Sequence, residues 1–218
     1  MAELILWLGK ISTGQVDLIL GSSSQPRKAV LQQLGIPFTV KVSSFPENLD
    51  KALFSKDFTE YPLATSREKS RDILKELGPL SKPTVLITCD TVVLRDETHI
   101  IEKPSDADHA KELIRSLSGK QHQVVTGVVV TLRTPAGDYP SEFKCVTTVQ
   151  FGRLTDDVVN AYVASGEPLN KAGGYGIQGL GALLVEELDG SFTNVIGIPL
   201  RETSESVASL LMKYYESQ

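Results

Sequence analysis

Apolar runs alternate with stretches of helical periodicity along almost the whole of this chain, the pattern of an α/β protein. Val16 to Leu20 (VDLIL) reads as a short buried strand, and Arg27 to Leu34 as the helix after it, stopped by Gly35 and Pro37. Phe38 to Val42 reads as a second strand. Leu63 to Leu77 carries an apolar stripe of Leu63, Ile73, Leu74 and Leu77 and predicts a helix ended by Gly78-Pro79. Thr84 to Leu94 (TVLITCDTVVL) is β-branched and almost wholly apolar, so it predicts a central strand. The next helix opens at Ser105, with Asp106 and Asp108 in its first turn, and closes at Ser118-Gly119. Val124 to Leu132 and Glu142 to Gln150 predict long strands around the turn TPAGD. Thr155 caps a helix to Ala164. Gly173 to Gly181 (GGYGIQGLG) is a glycine-rich loop, Ala182 to Leu188 a last strand, and Pro199 to Tyr214 a last helix with proline at its first position. A hairpin inside a succession of strands and helices implies a mixed sheet. No repeat, low-complexity tract or linker interrupts the pattern.

The 218 residues are enough for one domain with a substantial core. Apolar content of 41% and charged content of 22% argue against a globally disordered chain. The net charge is −5, and no basic tract is longer than Arg27-Lys28, so the electrostatic footprint of a nucleic-acid binder is missing. An acidic protein that binds polyphosphate must gather its few cations in one place, usually with a metal. Cys89 and Cys145 stand far apart, and His99, His109 and His122 lack metal-ligand spacing. That excludes a disulfide scaffold or zinc site and suits a reducing compartment. The opening MAELILWLGK has no basic region and an early acid, Glu3, so it reads poorly as a signal peptide. No stretch approaches the roughly 20 apolar residues of a membrane span.

Four segments carry candidate chemistry. Gly21 to Lys28 (GSSSQPRK) joins a strand to a helix, where backbone amides, the hydroxyls of Ser22 and Ser24, and Arg27 favour an anion. The plainer reading is a serine cap on an ordinary helix. Neither a P-loop nor a dinucleotide fingerprint is present. Asp90, inside LITCDTVVL, needs a partner, a metal or an exit at the sheet edge. Glu47 in SSFPENLD could add a second oxygen, and two carboxylates with phosphates and waters suit Mg²⁺, although a loop glutamate is more often solvated. Lys69, Lys103 and Lys171 each read alone as surface lysines, with Lys69 and Lys103 partly solvated. Triphosphate chemistry nevertheless draws cations from several segments. The run GEPLNKAGGYGIQG, Gly166 to Gly179, permits close backbone approach to a ligand, with Gln178 as a hydrogen-bonding side chain. A flexible connector is the plainer alternative.

Taken in order, these segments resemble the Maf family, within the superfamily of house-cleaning nucleotide pyrophosphatases that includes the inosine triphosphatases. The resemblance covers about Asp17 to Tyr214. GSSSQPRK is similar to the family's S-x-S-P-R-R, REKS to its E-K-A, LITCDTVV to its G-A-D-T-V-V and EKP to its G-K-P. LSGKQHQVVTGV is similar to L-S-G-x-x-H-x-V-x-T-G, and GEPLNKAGGYGIQG and DGSFTNVIGIP to the last two motifs. Three positions depart from the pattern: Gln25-Pro26 replaces Pro-Arg, Asn170 replaces an Asp, and Cys89 replaces a small residue.

The resemblance implies an ITPase-like fold: one α/β unit with a long, twisted mixed β-sheet flanked by helices and an active-site cleft between two lobes. It assigns residues 16–218 to that domain and leaves 1–15 as an N-terminal extension. It implies a cytoplasmic, metal-dependent pyrophosphatase that converts a nucleoside triphosphate to a monophosphate and pyrophosphate. The E-P-L-N-K-A-G form resembles the branch acting on dTTP and UTP. Asp90 and Glu47 would hold Mg²⁺ or Mn²⁺, with Asp90 also orienting or deprotonating the attacking water. Arg27, Lys69 and Lys103 would neutralise phosphates, Ser22 and Ser24 would donate hydrogen bonds, and Lys171 and Gln178 would close the site. The expected partner is the nucleotide, with neither nucleic acid nor membrane, and a homodimer is left open. The alternatives are an inosine/xanthosine triphosphatase and a non-catalytic cell-division regulator.

Overall fold

The computed structural model describes residues 2–78, 80–96 and 98–217. Pro79, half of the expected Gly78-Pro79 stop, lies outside them. The chain opens with helix α1 (Ala2–Ser12), strand β1 (Asp17–Leu20), helix α2 (Gln25–Gln32) and strand β2 (Thr39–Val40). Helix α3 (Glu60–Leu77) leads into β3 (Thr84–Arg95), β4 (His99–Ile101) and α4 (Ala107–Leu117). The hairpin of β5 (Gln121–Thr134) and β6 (Gly137–Phe151) follows, then α5 (Asp156–Ala164), β7 (Val185–Asp189), α6 (Phe192–Ile196) and α7 (Leu200–Glu216).

Among the described residues seven strands form one sheet, in the order β2-β1-β3-β5-β6-β7 with β4 beside β3. β1 runs parallel to β2 and β3, and the remaining pairs are antiparallel. This is the mixed sheet flanked by helices that the pattern implied. β3 and β5 are apolar on both faces because helices or loops cover both. One core cluster joins Leu20, Ile87, Cys89 and Val128 to α2 and α7. A second, further along the sheet, joins Val93, Val124 and Phe151 to α4 and α5. These are the two lobes. α3 covers the opposite face, where Ile73 meets Leu86. Residues 2–12 form a helix whose Trp7 and Ile11 are buried in the first cluster.

Several boundaries move, each for a local reason. α2 starts at Gln25, not Arg27, because Ser24 Oγ accepts from the Arg27 amide at 3.4 Å and Pro26 needs no donor in a first turn. α3 likewise starts at Glu60 with Pro62 in its first turn. Asp106, not Ser105, caps α4, accepting from the His109 amide at 2.8 Å. Pro199 stands just before α7 as its cap. The hairpin strands run on to Thr134 and Gly137, because Thr134 Oγ1 accepts from the Ala136 amide at 3.1 Å and closes a tight turn. The expected strand Phe38–Val42 pairs only at Thr39 and Val40, after which the chain leaves the sheet. The expected strand at Ala182 begins only at Val185. Residues 180–184 form a 3₁₀ turn instead, capped by Glu167, which accepts from the amides of Leu180 at 2.8 Å and Gly181 at 3.1 Å.

One glycine sets how α3 meets the sheet. A Cβ on Gly127 of β5 would fall on the backbone of Pro62 and Leu63. Ser66 Oγ donates to the Gly127 carbonyl at 2.8 Å, and Gly127 stands opposite Asp90 in the ladder. The helix therefore crosses the sheet in contact with its backbone, which brings Lys69 over Asp90. Gly127→Ala should lift α3 off the sheet, costing more than about 2 kcal/mol of stability and separating Lys69 from Asp90. Urea denaturation measures the first effect; an unchanged midpoint would show that the helix shifts freely.

Candidate active site

β3 pairs with β1 only from Thr84 to Ile87, and with β4 only from Val93 to Arg95. Between them, residues 88–92 have no strand on that side among the described residues, although β5 pairs the other edge from Thr84 to Leu94. Asp90 and Thr91 lie in this gap. Strand alternation turns them to opposite faces. A cavity of about 520 Å³ wraps round the open edge and is lined by both. That size suits a small-molecule ligand. All nine site residues singled out from the sequence line it: Ser22, Ser24, Arg27, Glu47, Lys69, Asp90, Lys103, Lys171 and Gln178.

On the α3 face, Lys69 Nζ lies 2.9 Å from Asp90 Oδ1 and 2.8 Å from Glu47 Oε2. Lys69 is 6% exposed, which corrects the expectation of a partly solvated side chain. A buried ammonium needs such partners. Lys103 is exposed, as expected. Glu47 adopts φ 53°, a left-handed backbone that costs a non-glycine residue about 1 kcal/mol. The segment that carries it is tied to α3 through Asp72, which accepts from Ser43 Oγ and the Ser44 amide, both at 2.7 Å. These bonds, led by the Ser43 hydroxyl, hold the Asp72 carboxyl below its ordinary value.

On the α2 face, Arg27 is fixed by neutral acceptors. Its Nε donates to the Gly197 carbonyl at 2.7 Å, Nη2 to Thr91 Oγ1 at 2.8 Å and Nη1 to Ser22 Oγ at 3.3 Å. The capping reading of Ser24 holds, and its loop still lines the cavity. Lys103 and Lys171 have no acidic partner among the described residues. Four cations thus face two carboxylates in the cavity of a chain whose net charge is −5. No group of three or more His, Cys, Asp or Glu is placed to hold a metal ion among the described residues.

Residues 17–210 match the family model described as Maf-like protein. The chain belongs to the Maf family. A dTTP/UTP pyrophosphatase of Exiguobacterium sibiricum is 38% identical over 190 residues, covering 87% of this chain and 90% of that protein. The dTTP/UTP pyrophosphatase of Escherichia coli strain K12 is 38% identical over 195 residues, covering 88% and 92%. A human protein named "Probable bifunctional dTTP/UTP pyrophosphatase/methyltransferase protein" is 38% identical over 93% of this chain, which spans only 33% of that relative.

The departures from the Maf pattern acquire places. Gln25 and Pro26 line the cavity, and the remaining Arg27 keeps its three bonds. Asn170 lines the cavity too. Cys89 is fully buried, and burial pushes its thiol up to about 11, so it packs as a small apolar group. Sequence reasoning missed Thr91, Thr126, Asn194 and Glu167. The hydrogen bonds of Thr91, Thr126 and Asn194 join segments far apart in the chain, which no local spacing reveals, and Glu167 reaches forward 13 and 14 residues to the amides of Leu180 and Gly181. The glycine-rich segment is not an open loop. It is a series of 3₁₀ turns over 167–174 and 180–184, held down by Tyr175, whose hydroxyl lies 2.7 Å from His122 Nε2.

His122 is 3% exposed, packed edge-on against Phe151 and Tyr175. Burial lowers its pKa from 6.5 to about 4. The unfolded chain therefore takes up a proton near pH 6.5 that the folded protein refuses until about pH 4. Stability from this group is complete above 6.5 and is lost as the pH falls towards 4, by up to about 3 kcal/mol. Roughly half of that loss falls above pH 5, before most carboxylates titrate. Urea midpoints at pH 7 and pH 5 should differ in the native protein, and His122→Gln should flatten the difference. An equal pH slope in both proteins would rule this out.

Proposed function

We propose that the protein is a nucleoside triphosphate pyrophosphatase acting on dTTP and UTP, releasing a monophosphate and pyrophosphate. The observation that carries this reading is the charge of the cavity. Arg27, Lys69, Lys103 and Lys171 converge on one pocket from four segments, against two carboxylates. Such a site calls for an anion with charge spread over many oxygens. The names of the relatives supply the substrate class.

The donor set fits a hard divalent ion. Asp90 and Glu47 already bracket a cation, the Lys69 ammonium, through oxygen atoms. Two carboxylates leave most of the ligand shell to phosphate and water, the usual pattern for Mg²⁺. The strained backbone of Glu47 is of the kind held at functional sites. A bound Mg²⁺ or Mn²⁺ supplies charge neutralisation at the scissile anhydride.

The residues of the chain do the rest. Arg27 presents a guanidinium already oriented by three bonds, so little order is lost when it meets a phosphate. Ser22 and the amides before α2 face the same end of the cavity. Lys103 and Lys171 neutralise phosphates from the opposite lobe, with Gln178 at the mouth. Lys69 holds Asp90 through Oδ1. Asp90 orients a water for attack at the α-phosphorus and takes its proton as the α–β anhydride bond breaks. The reading places the enzyme in the cytoplasm, acting on free nucleotides without nucleic acid or membrane partners.

Asp90→Asn should lower turnover at least about 10²-fold with the melting temperature little changed. Near-normal turnover with normal metal dependence would remove Asp90 from the mechanism.

The substrate assignment is tested by pyrophosphate release from dTTP, UTP, ITP, XTP and 7-methyl-GTP, with and without Mg²⁺ or Mn²⁺. The kcat/KM for dTTP and UTP should exceed the others by about 10- to 200-fold, the range that pocket discrimination provides. A tenfold preference for ITP or XTP would instead make it an inosine/xanthosine triphosphatase. Absence of hydrolysis with every nucleotide and metal would leave a non-catalytic role.

A further inference from the structure

We infer that Thr126, which does not line the cavity, is a positioning residue that aligns Arg27 for the phosphate through Thr91; this rests on the reading of Arg27 as a phosphate ligand. Thr126 is fully buried in β5 and stands opposite Thr91 in the ladder. The two hydroxyl oxygens lie 3.0 Å apart. Arg27 Nη2 donates to Thr91 Oγ1 at 2.8 Å, and Thr126 Oγ1 donates to the Asn194 carbonyl at 3.2 Å.

The polarity of this chain is fixed by its ends. A guanidinium only donates and a carbonyl only accepts. Each threonine hydroxyl has one hydrogen, so Thr91 accepts from Arg27 and donates to Thr126, which donates to Asn194. Such chains strengthen one another away from water.

The far end returns to its start. Asn194 lies in α6, and the carbonyl of Gly197, which ends α6, accepts Arg27 Nε at 2.7 Å. Gly197 has φ 114°, and a Cβ there would come within 3.0 Å of Arg27 Nε and 3.1 Å of Thr91 Oγ1. Asn194 is itself pinned, its Nδ2 donating to the Val124 carbonyl and Thr147 Oγ1, both at 3.0 Å. Arg27 and the α6 turn, whose Val195 and Ile196 line the cavity, therefore hold each other in place. Removing the Thr126 hydroxyl leaves the Thr91 hydrogen without its acceptor and frees Thr91 to rotate away from Arg27.

The test is a double-mutant cycle of Thr126→Val and Arg27→Ala, read by KM and kcat for dTTP and by the affinity for inorganic triphosphate. Thr126→Val should raise KM and weaken triphosphate about fivefold, with kcat changed by less than about twofold. Thr126→Ser, which keeps the hydroxyl, should restore both. In the Arg27→Ala background Thr126→Val should add less than about twofold. The same fivefold effect in both backgrounds would overturn the inference, as would a fall in melting temperature with KM and affinity unchanged. Thr126→Ala runs through the same cycle in case the valine variant fails to fold. Absence of pyrophosphate release by the native protein would strike the proposed function instead, and the triphosphate affinities would still decide the role of Thr126.

Discussion

The gap in the edge of β3 is the constraint on which the rest of the site depends. β1 stops at Leu20 and β4 starts pairing only at Val93, so one edge of residues 88–92 is left for other groups. An unpaired strand edge must be covered or turned to use. Here α2 begins where β1 ends, and α3 crosses the opposite face. Neighbouring residues of one strand, Asp90 and Thr91, then serve one cavity from two faces.

Electrostatics follows from that placement. Lys69 offsets one of the two carboxylate charges, but Arg27 is bound only by neutral oxygens and keeps its full charge available. Lys103 and Lys171 come from the other lobe. Concentrating these cations in one cleft gives an acidic protein a local positive field, and a cleft focuses that field more than the same charges would on an open surface. The rigidity is supplied by buried polar groups. Thr126, Thr147 and Asn194 are wholly enclosed and hydrogen-bonded to one another or to backbone, so the walls of the cleft have few alternative arrangements.

The glycine-rich segment shows how a flexible-looking sequence becomes a fixed wall. Glu167 caps one end of it through two amides, and Tyr175 anchors its centre on His122. Its glycines serve close approach, as where the aliphatic stem of Lys171 lies against Gly176. Gln178 is thereby presented at the mouth by a turn whose ends are both tied.

By itself the sequence determined the elements and the list of chemical groups. Apolar periodicity decided β1, β3, α3 and the β5–β6 hairpin, because burial on one or two faces leaves its period in the chain. The isolated Asp90, the GSSSQPR junction and the scattered lysines were legible because a charge in an apolar strand and serines at a helix start are locally anomalous. Only the tertiary structure decided how these groups pair. The burial of Lys69 between Asp90 and Glu47, the Thr91–Thr126 bridge and the Gly127 contact with α3 each join residues 20 or more positions apart. Such pairings depend on register and on the distance between layers, which are set by the packing of the whole sheet and leave no local pattern of their own.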